Sequence, residues 1–506
     1  MKNRREFLGV LGATAAVAAV RPSLASDVSL GKERMRLGVL ADIHISDETQ
    51  QPYFEKALRA FDDWGCDGVL ACGDIADHGI GQQLELAAQT WFKVFPDGKG
   101  RGGRPVANLL HYGDHDMADW YLDRPEAKKL LTGQDVEASV ISHGENRGRI
   151  WEKCFKEKYE PITVKTVKGY TFVLYHFNRH TPGNGNDVPG LEEVFAKLKV
   201  DPAKPFFFSQ HRAIRETHYL SSGDNGDTTR LFSKYPNLVA FTGHCHISAA
   251  EERSVWQGAF TSVQVPSLRY SWTRGGRENS YSSLDRPPIP PFKTMGEMST
   301  HDGTNHQGLF CTIYDNAIVL KRWNFSNDSS LGADWVIPVA SFALPPEQKP
   351  FAFAQRAKTV GIPQFAPNAD VKVLFKQGKD RGGNARQLFT VQFPPAKASG
   401  GRPAANDYSV RLEAKQDELE RILLEKRVYG RQYVTGAGDD SPVVCPFTEE
   451  EVPKGWLLRF SVRPLNTFDG AGEAIATPWE YRSWGKNPKQ AAAEAKAYVA
   501  GFRKKK

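Results

Sequence analysis

Short apolar runs recur along the first half of the chain, and each gives way to a polar loop rich in Asp, Gly and His. Arg36 to Ala41 leads to Asp42-Ile43-His44, Gly68 to Cys72 leads to Gly73-Asp74-Ile75-Ala76-Asp77, and Val106 to Leu110 leads to Gly113-Asp114-His115-Asp116. Gly169 to Tyr175 is a fourth run, Pro205 to Ser209 carries Gln210-His211 at its end, and Pro236 to Phe241 enters Thr242-Gly243-His244-Cys245-His246. Runs this short and continuous predict buried strands. Between them, apolar residues spaced by three or four (Phe54, Leu58, Phe61, Trp64, then Leu84, Ala87, Ala88, Trp91, Phe95) predict helices, as do Trp151 to Tyr159 and Leu191 to Leu198. Strand and helix in alternation predict a layered α/β core, with ligands taken up at the carboxyl ends of the strands. Trp256 to Arg322 reads mainly as strands, interrupted by a Gly/Ser/Pro-rich stretch from Thr273 to Thr304 that is expected to loop near that face.

The pattern changes after Trp323. Residues 326–368 hold Ser/Asn/Asp and Pro clusters and are expected as a linker with an ordered piece at Trp335-Val336-Ile337-Pro338. Beyond it Val371 to Phe375, Leu388 to Phe393, Tyr408 to Leu412 and Trp456 to Val462 alternate apolar with polar between turn residues, the pattern of an antiparallel β-sandwich. Residues 369–485 are expected to form this second domain, whose Tyr408 to Leu412 and Arg459 to Asn466 resemble fibronectin type III strands, and 486–506 a helix with a basic tail.

With 40% hydrophobic and 25% charged residues over 506 positions, the composition is globular and the length suits two or three domains. Arg4-Arg5-Glu6-Phe7-Leu8, an Ala/Val/Gly-rich run to Val20 and Ser23-Leu24-Ala25 resemble a twin-arginine export signal over residues 1–25. Export implies a periplasmic or extracellular protein that begins near Ser26, with no transmembrane segment in the mature chain. Lys2, Arg4, Arg5 and Arg21 against Glu6 contribute +3 of the formal charge of +7. So weak a basic balance makes no case for a nucleic-acid partner. Six cysteines without metal-ligand spacing predict neither a disulfide scaffold nor a thiolate site.

The histidines and carboxylates at the strand ends carry the chemistry. His244 and His246 are two apart, and in an extended segment both imidazoles would project to one spot. Asp42 and His44 share the same spacing. Imidazoles and carboxylates without thiolates suit divalent ions of borderline character. Taken in order, Asp42-x-His44, Gly73-Asp74-x-x-Asp77, Gly113-Asp114-His115-Asp116, His211 and Gly243-His244-x-His246 resemble the signature of the calcineurin-like metallophosphoesterases. The resemblance runs from Arg36 to Trp323 and implies a β-sandwich flanked by helices over 33–325, with a dinuclear metal site at one edge. It further implies that Asp42, His44 and His246 hold one ion, that Asp114, His211 and His244 hold the other, and that Asp74 bridges them. The ions expected are Mn, Fe or Zn, divalent or mixed-valence. His115 would contact the phosphate and protonate the leaving oxygen, with Asp116 orienting it and Asp77 either backing the ligands or capping a turn. The iron-ligating tyrosine of purple acid phosphatases is absent from these blocks.

One position departs from the family pattern: Asp114 stands where the family usually has Asn. A third carboxylate would take one positive charge from the centre and weaken its pull on a phosphate ester. A working site with altered metal preference, a working site with Asp114 protonated, and a degraded site that only binds are the readings this leaves open. The expected function is an exported, metal-dependent hydrolase of a phosphate monoester or diester. The alternative is an envelope binding protein that recognises its partner, carbohydrate or other, through the C-terminal sandwich.

Overall fold

A computed structural model describes residues 29–481 and Ala493, apart from 180–187, 219–224, 273–275, 280–304, 380–383, 401, 417–418, 431–432 and 434–439. The export signal, the C-terminal helix and most of the 273–304 loop therefore lie outside the described residues. Two sheets build the first body. One joins β1 (Glu33–Leu40), β2 (Gly68–Cys72) and β3 (Ala107–His111) to β10 (Gln307–Tyr314), β11 (Ala317–Asn324), β12 (Ser329–Ser330) and β13 (Trp335–Pro338). Its order is β12-β11-β10-β1-β2-β3, with β13 on the flank of β11. The other runs β4 (Ile162–Val167), β5 (Tyr170–Tyr175), β6 (Phe206–Gln210), β7 (Leu238–Thr242), β9 (Thr261–Gln264) and β8 (Val255–Gln257).

The sheets face one another across a core to which one contributes Leu37, Val39, Leu70 and Leu109 and the other Phe172, Phe207, Val239, Phe241 and Val263. Helices Gln51–Trp64, Gly81–Val94 and Asn146–Phe155 cover the outer face of the first sheet, and Val188–Lys197 and Asp227–Phe232 cover that of the second. Strands buried on both faces are why β2, Phe206 to Phe208 of β6 and Leu238 to Phe241 of β7 read as unbroken apolar runs. Strands β1, β2 and β3 are parallel, and so are β5, β6, β7 and β9. Each set therefore delivers its carboxyl ends to a single edge, and the signature loops lie there.

Two expectations need correction. The helix read as Trp151 to Tyr159 starts a turn earlier and ends at Phe155, because Lys156 turns left-handed at φ 61°. The segment 326–368 does not run as a linker: β12 and β13 both pair with β11, and Trp335, Ile337, Phe342 and Phe351 are buried in the first body's core.

Beyond it lies an all-β unit. β14 (Lys372–Lys379), β15 (Ala385–Phe393) and β18 (Val443–Thr448) form a three-stranded antiparallel sheet. β16 (Asp407–Gln416), β17 (Leu419–Tyr429), β19 (Leu457–Leu465) and β20 (Ile475–Ala476) form a four-stranded one in the order β17-β16-β19-β20. Phe389, Val391, Tyr408, Val410, Phe447 and Phe460 fill the space between them. The unit is docked on the first body. Arg277 Nε donates to the buried Asp407 carboxylate at 2.9 Å, and Asn279 exchanges side-chain hydrogen bonds with the Tyr429 main chain at 2.8 and 3.3 Å. Among the described residues, no helix is long and apolar enough to cross a membrane. No disulfide joins any of the six cysteines, all of them buried.

Candidate metal centre

Three of the strands that feed the edge, β1, β2 and β7, end in left-handed turns. Asp42, His44, Asp74, His244 and His246 all have φ between 47° and 72°, the left-handed region that Asp and His enter more readily than most side chains. The motif glycines are there for close approach. A Cβ on Gly73 would sit 2.7 Å from Gly113 Cα and from His211 Nδ1, and one on Gly243 would sit 2.9 Å from Asp42 Oδ2. The left-handed turns also alter the sequence reading of His244 and His246. They do not project together as in a strand but part, one to each side of the centre.

On one side are Asp42, His44, Asp74 and His246, all buried, with one ligand atom of each within 4.8 Å of the others. His44 Nδ1 donates to Asp77 Oδ1 at 2.7 Å and His246 Nδ1 to the Tyr270 carbonyl at 3.1 Å. With both Nδ1 atoms so used, the Nε2 lone pairs face each other at 3.2 Å. Asp42 Oδ1 is 3.1 Å from His246 Nε2, and Asp74 Oδ2 is 3.5 Å from His44 Nε2. Four acceptors converging without a donor among them fit a bound cation.

On the other side are Asp114, His211 and His244. His211 Nδ1 donates to the Cys72 carbonyl at 2.8 Å, and its Nε2 lies 3.1 Å from both Asp74 Oδ2 and Asp114 Oδ1. His244 Nδ1 is 3.3 Å from Asp114 Oδ2, and its side chain is 40% exposed where His211 is fully covered. Asp74 Oδ2 therefore stands between the two groups. Arg212, which the sequence reading passed over, also enters here: its Nε and Nη2 both donate to Asp114 Oδ2, at 3.0 and 2.8 Å. The unusual carboxylate is thus paired with a guanidinium. The available signal was the unusual carboxylate itself, which poses the question of a nearby cation.

His115 lies between the sides. Its main-chain N–H donates to Asp74 Oδ1 at 2.8 Å and its Nδ1 to the Asp77 carbonyl at 2.9 Å, with Asp77 Oδ1 at 3.4 Å. Burial lowers the imidazole, yet Asp74, Asp77 and Asp114 outweigh it and raise His115 to about 10. Asp116 does not orient His115, contrary to expectation. Its carboxylate accepts from the main-chain N–H groups of Gly113 at 2.7 Å, Ala76 at 2.7 Å and Ile75 at 3.2 Å, pinning two signature loops together. Asp77 holds both His115 and His44 instead of merely capping a turn.

A cavity of about 230 Å³ opens over the centre, lined by Asp74, His115, His244, Cys245 and His246 and walled by Tyr270 and Trp272, neither of which the sequence singled out. Three further histidines, His111, His176 and His306, are packing residues. His111 donates from Nδ1 to the Tyr112 carbonyl and accepts from the Ser209 hydroxyl, His176 is buried against Tyr112 and Trp151, and His306 stacks on Tyr53.

Among solved structures the chain is similar to a dimetal phosphatase from Danio rerio, at 10% identity over 61% of this chain and 100% of that one, with TM-score 0.35. It is also similar to a purple acid phosphatase from yellow lupin, Lupinus luteus, at 14% identity over 60% and 53%, with TM-score 0.35. A third is an anchor of the inner membrane complex of Plasmodium, at 12% identity over 61% and 89%, with TM-score 0.34. Likenesses this distant carry no argument about function. No curated protein matches the chain. The family model described as calcineurin-like phosphoesterase does match, over residues 35–248, the span that holds every candidate ligand.

Proposed function

We propose that the protein is a dinuclear metal-dependent hydrolase of phosphate monoesters or diesters. The observation that carries the reading is the position of Asp74 Oδ2, 3.5 Å from His44 Nε2 and 3.1 Å from His211 Nε2, shared by two groups of three further donors. Asp42, His44 and His246 would hold one ion, Asp114, His211 and His244 the other, with Asp74 common to both. The oxygen and imidazole donors suit Mn, Fe or Zn. Two such ions, when bound, supply a clamp on the phosphoryl oxygens and a water acidic enough to attack phosphorus at neutral pH.

The chain's own residues do the rest. His115, anchored through Nδ1 on Asp77, keeps Nε2 for the oxygen of the leaving group and protonates it as the ester bond breaks. The Asp77 carboxylate, 3.4 Å from Nδ1, favours the protonated, donating form. Tyr270 and Trp272 give the substituent on phosphorus an aromatic wall. The paired arginines and apolar run at the N-terminus support export through the twin-arginine route to the periplasm or beyond. The pairing of three and four antiparallel strands supports a fibronectin type III-like reading of the C-terminal unit.

The test is a screen of phosphate monoesters and diesters with protein reconstituted with Mn²⁺, Fe²⁺ or Zn²⁺. Hydrolysis that requires the metal is the expected result. Two ions bound with no ester cleaved would leave the binding-protein alternative in its place.

A further inference from the structure

The pair formed by Asp114 and Arg212 has a specific geometry. Both guanidinium donors, Nε at 3.0 Å and Nη2 at 2.8 Å, reach the same oxygen, Asp114 Oδ2. The other oxygen, Oδ1, is turned to His211 Nε2 at 3.1 Å, on the side where Asp74 Oδ2 also approaches that nitrogen. The guanidinium cannot easily swing away. Its carbon lies 4.8 Å from the centroid of the buried Phe177 ring, and Phe177 is itself tied by its N–H to the Tyr112 carbonyl, just upstream of Asp114.

We infer that Arg212 is a positioning residue that makes Asp114 act at the metal centre as a neutral, single-oxygen ligand. The inference rests on the dinuclear reading given above. A carboxylate left to itself offers two oxygens and a full negative charge. With Arg212 forked on Oδ2, one oxygen is occupied by N–H donors, the other is left for a metal, and the pair carries no net charge. That is the chemistry of a carboxamide, which presents one oxygen and no charge. The net charge of the donor set then comes from Asp42 and Asp74 alone, so two divalent ions would leave the centre at +2, with its attraction for an anionic phosphate intact. The departure at Asp114 and the arginine at position 212 are on this account one feature, and neither marks a degraded site.

The test is a double-mutant cycle in the full chain: wild type, Arg212→Met, Asp114→Asn, and the two combined. Three quantities are read: the melting temperature, the affinity of each Mn²⁺ site by competition with a chelator, and the binding of inorganic phosphate to the Mn²⁺-loaded protein by calorimetry. Arg212→Met frees the carboxylate, so the second Mn²⁺ should bind more tightly, and phosphate more weakly, by about fivefold or more each. Asp114→Asn leaves the guanidinium without its counter-charge and should shift both quantities the other way. The combined variant should return both towards wild type. Arg212→Gln, which keeps a donor but not the charge, should shift both quantities as Arg212→Met does, and stands in for it if the methionine variant does not fold. Mn²⁺ and phosphate affinities that stay as in wild type in both Arg212→Met and Arg212→Gln, with two Mn²⁺ ions bound to wild type, overturn the inference and leave the dinuclear reading standing. So does loss of phosphate binding in Arg212→Met at unchanged Mn²⁺ affinity, which would make Arg212 a phosphate ligand. Failure of wild type to bind a second Mn²⁺ overturns both.

Discussion

The two halves of the centre use the same donor chemistry and treat it differently. In the half built on Asp42, His44 and His246, every side chain is covered, and both imidazoles are held from behind by Asp77 and by the Tyr270 carbonyl. In the half built on Asp114, His211 and His244, one imidazole is 40% exposed, and a guanidinium lies on the carboxylate. A covered site of fixed acceptors binds an ion tightly and releases it slowly. An open one that shares its carboxylate with Arg212 exchanges its ion more readily. The same opening faces the cavity, which His244 lines together with His115.

The first way to break this comparison is to remove what the halves share. Asp74→Ala deletes the oxygen between them and should abolish both metal binding and hydrolysis; elemental analysis that still finds one ion per chain would mean that the closed half stands alone. Next in size is His115→Ala, which should lower turnover by roughly 10² to 10⁴ at unchanged metal content. The loss should be greatest for poor leaving groups, and an equal loss for all leaving groups would remove His115 from proton transfer. Asp77→Asn should cost about 10- to 100-fold in activity or in affinity of the closed half, because it weakens the side-chain hydrogen bond that holds His44. Asp116→Asn should instead lower the melting temperature with little change in metal affinity, since its carboxylate serves three main-chain N–H groups and no imidazole.

The smallest effect is on pH-dependent stability beneath the open half. Burial pushes His111 down to about 3, so the folded protein keeps it neutral while the unfolded chain takes up a proton near the ordinary value of 6.5. Its contribution is therefore complete above about pH 6.5 and is lost as pH falls towards 3, on the order of 1 kcal/mol per pH unit. His111→Gln should flatten the acid side of the stability curve in urea melts at pH 7 and pH 5. Parallel curves for variant and wild type would show that His111 is not held neutral.

The strand ends were legible in the sequence because parallel, doubly buried strands leave unbroken apolar runs that stop where chemistry begins, as at Leu40, Cys72 and Thr242. The assignment of partners was not. Asp77 and Asp116 sit at similar places in their loops, and only the turn geometry decides that the first reaches His44 and His115 while the second serves main-chain N–H groups. His244 and His246 part because each adopts φ near the left-handed region, which a His-x-His spacing does not encode. Arg212 meets a carboxylate 98 residues earlier in the chain, a juxtaposition made by the packing of two sheets. Trp335 to Pro338 was read as an ordered piece among linker residues. Its antiparallel pairing with β11 depends on a neighbour that its own composition does not name.

The most direct test of the dinuclear account is to titrate metal-free protein with Mn²⁺ while following hydrolysis of a phosphate ester that the screen has shown to be cleaved. The account predicts a tight first equivalent that gives almost no turnover, and a weaker second equivalent with which activity appears. Full activity at one equivalent, or two equivalents bound with no turnover, would contradict it.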